Sequence, residues 1–322
     1  MPKEITHWLI AAETARLLEG SALGASVAAF PNCFRLGAVF PDVLFFAAWY
    51  GNGDIYLDLA DEYHGTHGED TFNLLRSLAE IPRKDPYARQ MQAIWAGIVT
   101  HLHADMVFHP LVFYLTGNYH DEDRVARTRA VQSHRRFEAL MDLRFGERTG
   151  GTRSHSLRAV LAGLEIPRRR LYERLPRTNG KGVELPDMAG AMEHSLRLYQ
   201  LLQVMNKCLF LGGVLHLADN LLLDNAGEIA ATFQAPQLRS LYSALGAEIP
   251  YRNPVTGKET ASRIDDLFQE AVRRSAAFCL AMESAVLEND PALITDRGPT
   301  LCYDMEGVGA DRGRFFAPVP FC

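Results

Sequence analysis

No Cys-x-x-Cys pair occurs anywhere in this chain. Its five cysteines, at 33, 208, 279, 302 and 322, are odd in number and far apart. That pattern argues against a disulfide framework and a thiolate zinc site, and for free thiols in a reducing compartment. A basic field is missing too: 33 Lys and Arg stand against 39 Asp and Glu, a net charge of −6 with pI near 6.0. Such a balance makes nucleic acid an unexpected partner. Long apolar runs are also absent. Leu36–Tyr50 and Cys208–Leu223 are short for a bilayer span, and Asp42 interrupts the first, His216 and Asp219 the second. The opening MPKEITHWLI carries an acid and a histidine where a secretion signal needs a clean apolar run, and Cys322 does not sit in a prenylation box. The expectation is a cytoplasmic protein with scope for peripheral membrane contact.

Period-two alternation is nearly absent, and what remains is helical, so the fold expected is all-α. Ile5, Leu9, Ala12, Ala15 and Leu18 mark a first helix closed by Gly20. Glu62–Glu80 reads as one helix stopped by Pro82. Pro86 opens another that should end near Phe108, because Pro110 disfavours α geometry at His109. Further helices are expected over Asp121–Glu147, Asp187–Asn225 and Ser262–Glu288, and YRNPVTGKET is the one hairpin-like, turn-rich stretch. With 322 residues at 48% hydrophobic the chain can bury a large core. The best linker candidate, RTNGKG at 177–182, is short enough to be a loop. The reading is one all-α domain over 1–322. Eight of eleven histidines precede residue 135, which distinguishes a metal-binding helical core, 1–150, from an accessory helical half, 151–322.

The stretch HLHADMVFHP, residues 101–110, concentrates the chemistry. Residues four apart lie one turn up the same helix face, so His101, Asp105 and, at the helix end, His109 point together, while His103 turns away. HRRFE repeats the interval with His134 and Glu138. Two helices presenting histidine and carboxylate in this way resemble the inward metal faces of helical bundles. The donors suit zinc, and also iron or manganese. A lone pair of this kind is common on a solvated face. Two pairs amid Ile98, Val99, Met106, Val107 and Phe108 are not, because an unpartnered carboxylate is costly to bury. Three other places offer more donors: His7 in THWLIAAE, Asp42 in LGAVFPDVLFF, and His64 or His67 in DEYHGTHGED.

THWLIA, LGAVFPD, a histidine of HGTHGED, H-x-x-x-D-x-x-x-H at 101–109 and H-x-x-x-E at 134–138 occur in the order and character of the zinc-dependent phospholipase C family, which the first 140 or so residues resemble. That family includes bacterial phosphatidylcholine-hydrolysing enzymes and the catalytic domain of glycosylphosphatidylinositol phospholipase D; the zinc nucleases are more distant relatives. The resemblance implies a multi-helix bundle holding two or three zinc ions. It implies His67, His101 and Asp105 at the first ion with Asp42 close by, His64 being second choice to His67. At the second it implies His109, His134 and Glu138. At the third it implies His7, Asp105 as a bridge, and the chain's own N-terminal amine.

Zinc makes a bound water acidic enough to attack phosphorus near neutral pH, and a carboxylate must orient that water or take its proton. Asp42 lies outside both helical pairs, and the resemblance supports it in that role. The expected activity is metal-dependent phosphodiester hydrolysis of phospholipid head groups. Alternatives are a nuclease or nucleotidase on the same scaffold, or a metal-binding relative without turnover. A di-iron bundle is disfavoured, since its Glu-x-x-His spacing is absent from 101–109 and 134–138. Phe45, Phe46, Trp49, Tyr50 and Tyr56 follow Asp42 and would suit a lipid interface if exposed, or a buried helix with a glycine turn if not. His216 and Asp219 read as a core histidine beside a helix-end acid.

Overall fold

The computed structural model describes residues 3–51, 53–149, 155–218 and 225–317. Within them the regular structure is helical, apart from one two-stranded sheet and two isolated bridges. The N-terminal half runs α1 (Glu4–Leu17), α2 (Ala22–Ala29), α3 (Pro31–Gly37), α4 (Phe40–Val43), a 3-10 turn (Leu44–Trp49), α5 (Gly53–His64), α6 (Asn73–Ala79), α7 (Ala88–Thr116) and α8 (Arg124–Glu147). The rest runs α9 (Leu157–Ala162), α10 (Arg168–Tyr172), α11 (Met188–Asn206), α12 (Leu209–Ala218), α13 (Asn225–Ala230) and α14 (Tyr242–Gly246). The hairpin β1 (Ile249–Arg252) and β2 (Glu259–Ser262), then α15 (Ile264–Ala281) and α16 (Glu283–Leu287), complete it.

Helix α7 is the axis of the molecule. From Ala93 to Val112 every residue is buried, which a helix achieves only when neighbours cover it all round. Its neighbours include α1, α3, α8 and α15. Where α3 crosses α7, Gly37 faces Gly97. A Cβ on Gly97 would stand 2.1 Å from the Phe34 carbonyl oxygen, so the two backbones touch because neither carries a side chain there. The contact brings the Ala38 carbonyl, at the end of α3, to the ring of His101, with the oxygen 3.1 Å from Nδ1.

Several boundaries differ from those expected. Helix α7 does not stop at Phe108 but continues through Pro110 to Thr116. An internal proline costs a hydrogen bond and about 3 kcal/mol. Leu111, Val112 and Leu115 offset that cost by packing with Phe137, Leu140 and Ile10 in a second core cluster. The single helix expected over Glu62–Glu80 is two, α5 and α6, separated by a turn in which Gly65 and Gly68 adopt φ of +64° and +85°. Helix α8 begins at Arg124, capped by the Asp123 carboxylate, which accepts from the Val125 and Ala126 amides. The long helix expected from Asp187 ends at Asn206, and α12 leaves at 79° to it. Gly212 lets α12 lie against the Gln234 backbone, where a Cβ would come within 2.4 Å of the carbonyl oxygen. Residues 219–224, including Asp219, lie outside the described residues. The stretch expected over Ser262–Glu288 gives its first residue to β2 and breaks at Met282 into α15 and α16.

The hairpin-like stretch is a hairpin. Ile249 pairs with Ser262 and Arg252 with Glu259, and Asn253 Oδ1 accepts the Val255 and Thr256 amides in the turn. Cys33, Cys208, Cys279 and Cys302 are free thiols. No single helix among the described residues is long and apolar enough to cross a membrane.

Candidate metal centre

Eight side chains from five helices converge at the middle of α7. Helix α1 supplies His7, α4 Asp42, α5 His64, α7 His101, Asp105 and His109, and α8 His134 and Glu138; each is at most 9% exposed. They form three groups of donors: His7, His101 and Asp105; Asp42, His64 and His101; and His109, His134 and Glu138.

Asp105 lies between two of these groups. Its Oδ1 is 3.4 Å from His7 Nε2, and its Oδ2 is 3.4 Å from His101 Nε2 and 4.0 Å from His64 Nε2. Asp42 Oδ1 approaches His64 Nε2 at 3.2 Å and His101 Nε2 at 3.7 Å. The His7 and His101 rings stack with centroids 4.3 Å apart. In the third group His134 Nε2 stands 3.1 Å from Glu138 Oε1, and its ring centroid is 5.5 Å from that of His109. A tetrahedral site with bonds of about 2.0–2.1 Å has ligand–ligand edges of about 3.3–3.4 Å. The donor separations fall around that length.

Backbone carbonyls set the ring orientations. His101 Nδ1 meets the Ala38 oxygen at 3.1 Å, His109 Nδ1 the Leu301 oxygen at 2.7 Å, and His64 Nδ1 the Ala60 oxygen at 2.7 Å. Each contact puts the proton on Nδ1 and turns the Nε2 lone pair inward, the arrangement that supports ligating histidines. Helix α1 is anchored in the same spirit. The Asp142 carboxylate, one turn beyond Glu138, accepts the Ile5 amide at 3.2 Å, and the Thr6 amide and hydroxyl at 2.9 and 2.8 Å.

The cluster is badly served by protein partners alone. Both oxygens of Asp105, and Nε2 of His101 and of His109, are buried without a hydrogen bond. No lysine or arginine among the described residues pairs with Asp42 or Asp105. Burial raises the carboxyls of Asp42 and Asp105 above their ordinary value. It also depresses the imidazoles of His101 and His109, and holds His134 at about 4. Neutral imidazoles beside carboxylates that no lysine or arginine neutralises are what a divalent cation requires, and imidazole nitrogen with carboxylate oxygen is a donor set suited to zinc. The residues present fit the group.

Above the donors opens a cavity of about 530 Å³. Asp42, His64, His109, His134 and Glu138 reach it, whereas His7, His101 and Asp105 lie beneath. Its apolar wall comes from Phe45, Phe46, Leu57, Tyr199 and Leu202, and Trp49 and Ile229 stand at its rim.

One expected donor is elsewhere. His67 is exposed on the turn after α5, its amide bonded to the Glu69 carboxylate, and His64, a turn earlier and inside α5, faces the cluster instead. The reason is the helix end at Gly65, which keeps His64 in register with Ala60 and sends the chain outward beyond it. The N-terminal amine lies outside the described residues. His103, expected to turn away, packs against Phe278 with ring centroids 5.3 Å apart. His216 is half-buried on α12, outside the donor groups. The aromatic stretch divides: Phe45 and Phe46 line the cavity, Tyr56 is buried, Tyr50 bonds the Asp187 carboxylate, and Trp49 is 66% exposed. Sequence reasoning missed Asp142 and the Leu301 carbonyl. The first carries a signal, since 134, 138 and 142 continue one i, i+4 row; a backbone carbonyl carries none.

Comparison with protein-family models matches residues 6–200, more than half of the chain, to zinc dependent phospholipase C. No curated protein and no solved structure matches it.

Proposed function

The chain belongs to the zinc-dependent phospholipase C family, and on that premise we propose that it is a hydrolase of phospholipid head-group phosphodiesters. The observation that carries the reading is the set of buried, unbonded donors of His101 and Asp105 beneath, and of His109 at the edge of, a cavity with an apolar wall.

His7, His64, His101 and Asp105, with Asp42, would hold zinc at one level of the donor-bearing face of α7, and His109, His134 and Glu138 would hold it further along the same face. Zinc bound there supplies activated water and neutralises the charge of a phosphodiester. Asp105, inaccessible and 3.4 Å from both His7 and His101, would be a donor that nothing but the metal side of the cluster can reach. Asp42 faces the cavity and can take a proton from water on the substrate side, in the role of general base. Its Oδ1 stands 3.2 Å from His64 Nε2, so the two donors can meet at one ion. His64, His101 and His109 hold their Nδ1 protons on carbonyls and so present fixed lone pairs. Phe45, Phe46, Leu57 and Leu202 give acyl chains an apolar wall beside the centre and exclude water from it.

A nuclease or nucleotidase on the same scaffold would be favoured by a parted aromatic pair able to sandwich a base. Of the aromatic side chains lining the cavity, Phe46 and Tyr199 stack on each other with centroids 4.5 Å apart and Phe113 meets Tyr119 edge-on at 5.7 Å; neither pair is parted to take a base, which favours lipid. The test is elemental analysis of native protein together with chelator-sensitive hydrolysis of phosphatidylcholine, a generic bis-ester and a 3′-nucleotide. Two or three zinc ions per chain and a preference for phosphatidylcholine are expected. Preference for the nucleotide overturns the substrate, and stoichiometric zinc without any hydrolysis overturns the enzyme.

A further inference from the structure

The donor cluster leans on a part of the chain beyond the family match. Residues 297–310 run as a strap across the turn that follows α5. The Gly298 amide donates to Asp70 Oδ1 at 2.7 Å, the Thr71 hydroxyl to the Pro299 carbonyl at 2.8 Å, and the Ala310 amide to the Thr66 carbonyl at 2.7 Å. Cys302 and Ala310 of the strap line the cavity. At its centre Leu301, fully buried, touches two of the donor groups through its backbone. Its amide donates to the His64 carbonyl at 2.9 Å, and its own carbonyl oxygen lies 2.7 Å from His109 Nδ1.

The three oriented imidazoles differ in what orients them. His64 uses Ala60, one turn back in its own helix, and His101 uses Ala38 at the end of α3; both carbonyls lie within residues 6–200. His109 alone depends on the strap. Without the Leu301 oxygen its neutral ring is free to carry the proton on Nε2, which removes the lone pair a metal needs there. The place of Leu301 is set by a tight turn. The Thr300 amide donates to the Met305 carbonyl at 2.9 Å and the Asp304 amide to the Thr300 carbonyl at 3.0 Å, with Asp304 at φ +56°. Helix α15 grips that turn from outside. Arg274 Nη1 donates to Asp304 Oδ2 at 2.7 Å, while its Nε donates to Glu270 Oε1 at 2.7 Å, one helical turn earlier. A lone surface ion pair contributes little to global stability. This one has a local consequence, since it ties a left-handed turn to a core helix three residues from the carbonyl that sets His109.

We propose that Asp304 and Arg274 are positioning residues for the metal centre: their pairing locks the 300–305 turn, so that Leu301 keeps His109 in the tautomer able to hold zinc with His134 and Glu138. The inference rests on the reading of those three residues as a zinc site.

Two measurements on the full chain test it. In metal-free protein with ¹⁵N-labelled histidine, long-range ¹H–¹⁵N spectra show which ring nitrogen of His109 carries the proton, and His109→Gln identifies its signals. Wild type should show the proton on Nδ1, and Arg274→Gln and Asp304→Ala a mixture of tautomers. Zinc titration should then show one class of site weakened about tenfold in both variants. Asp304→Asn should restore wild-type behaviour, because asparagine keeps an acceptor for Arg274 and tolerates positive φ. Arg274→Gln acts from α15 without touching the turn's backbone, so it stands as the test where Asp304→Ala strains the turn. In a His134→Gln background, which already lacks that site, Arg274→Gln should leave the remaining zinc affinity unchanged. Variants with wild-type tautomer and zinc affinity would overturn the proposal. So would a loss that persists in the His134→Gln background, which marks general loosening of the fold. The tautomer is read with no metal present, so a protein that binds no zinc faults the metal reading while the His109 ring still answers for the turn.

Discussion

Replacing Asp105 with asparagine should move stability in opposite directions with and without zinc. In chelator, the wild-type carboxylate is fully buried, with two oxygens that accept no hydrogen bond. An ionised group so placed costs several kcal/mol, whereas an unbonded neutral amide costs about 1–3 kcal/mol. The introduced amide could moreover donate toward His7 or His101, whose nitrogens stand 3.4 Å from the present oxygens. A gain of about 2–4 kcal/mol is expected at neutral pH. At about 2.1 cal/mol/K per residue, 322 residues give an unfolding entropy near 0.7 kcal/mol/K, so the gain corresponds to about 3–6 °C in Tm. The pH dependence has a definite sign. Burial holds the folded carboxyl above its ordinary value, so the metal-free wild type loses stability as pH rises past that ordinary value, near 4, and the variant does not. With zinc the order reverses. Losing a donor shared by two imidazoles should cost at least a hundredfold in affinity, which removes about 2.7 kcal/mol of ligand stabilisation, or about 4 °C. Differential scanning calorimetry in chelator and in zinc measures both arms. If Asp105→Asn lowers Tm in chelator and responds to zinc like wild type, Asp105 is an ordinary structural carboxylate and the reasoning fails.

Asp42→Asn should keep most of the zinc, measured by elemental analysis, and lose about 10²–10⁴ in kcat, because its base function goes while His64 and His101 remain; full turnover would remove Asp42 from the chemistry. His64→Ala should reduce zinc content and activity on phosphatidylcholine, while His67→Ala should change neither, a contrast read by metal analysis and steady-state rates. Gly97→Ala would set a methyl against the Phe34 carbonyl, forcing α3 from α7 at a cost of about 1–3 kcal/mol in urea unfolding and loosening the carbonyl contact of His101. His134, held at about 4 by burial, gives stability that is full above the ordinary histidine value near 6.5 and is lost as pH falls toward 4. In chelator, His134→Gln should flatten that part of the urea-unfolding pH profile by an amount on the order of 3 kcal/mol.

Much of this site could be read along single helices, because the i, i+4 rule needs no tertiary information. His101, Asp105 and His109 share a face for local reasons, and so do His134 and Glu138. Order along the chain and family likeness then brought in His7 and Asp42. What failed were places where distant packing overrides a local signal. Pro110 reads as a helix end, but the apolar residues after it are held against α8. Glu62–Glu80 reads as one helix, but two positive-φ glycines turn the chain out and leave His64, not His67, facing inward. The break after Asn206 has no local breaker and follows from the seat that Gly212 gives α12 on the Gln234 backbone. The carbonyls of Ala38 and Leu301, which orient two of the imidazoles, were invisible because every residue has one.

The central claim is that donors from α1, α4, α5, α7 and α8 hold zinc beneath the cavity. Anomalous diffraction at the zinc absorption edge, on crystals of native protein, tests it most directly. The account predicts one peak between His101 and Asp105, within reach of His7 or His64, and another among His109, His134 and Glu138. Density for zinc only at surface sites, with these donors bonded to one another, would contradict it.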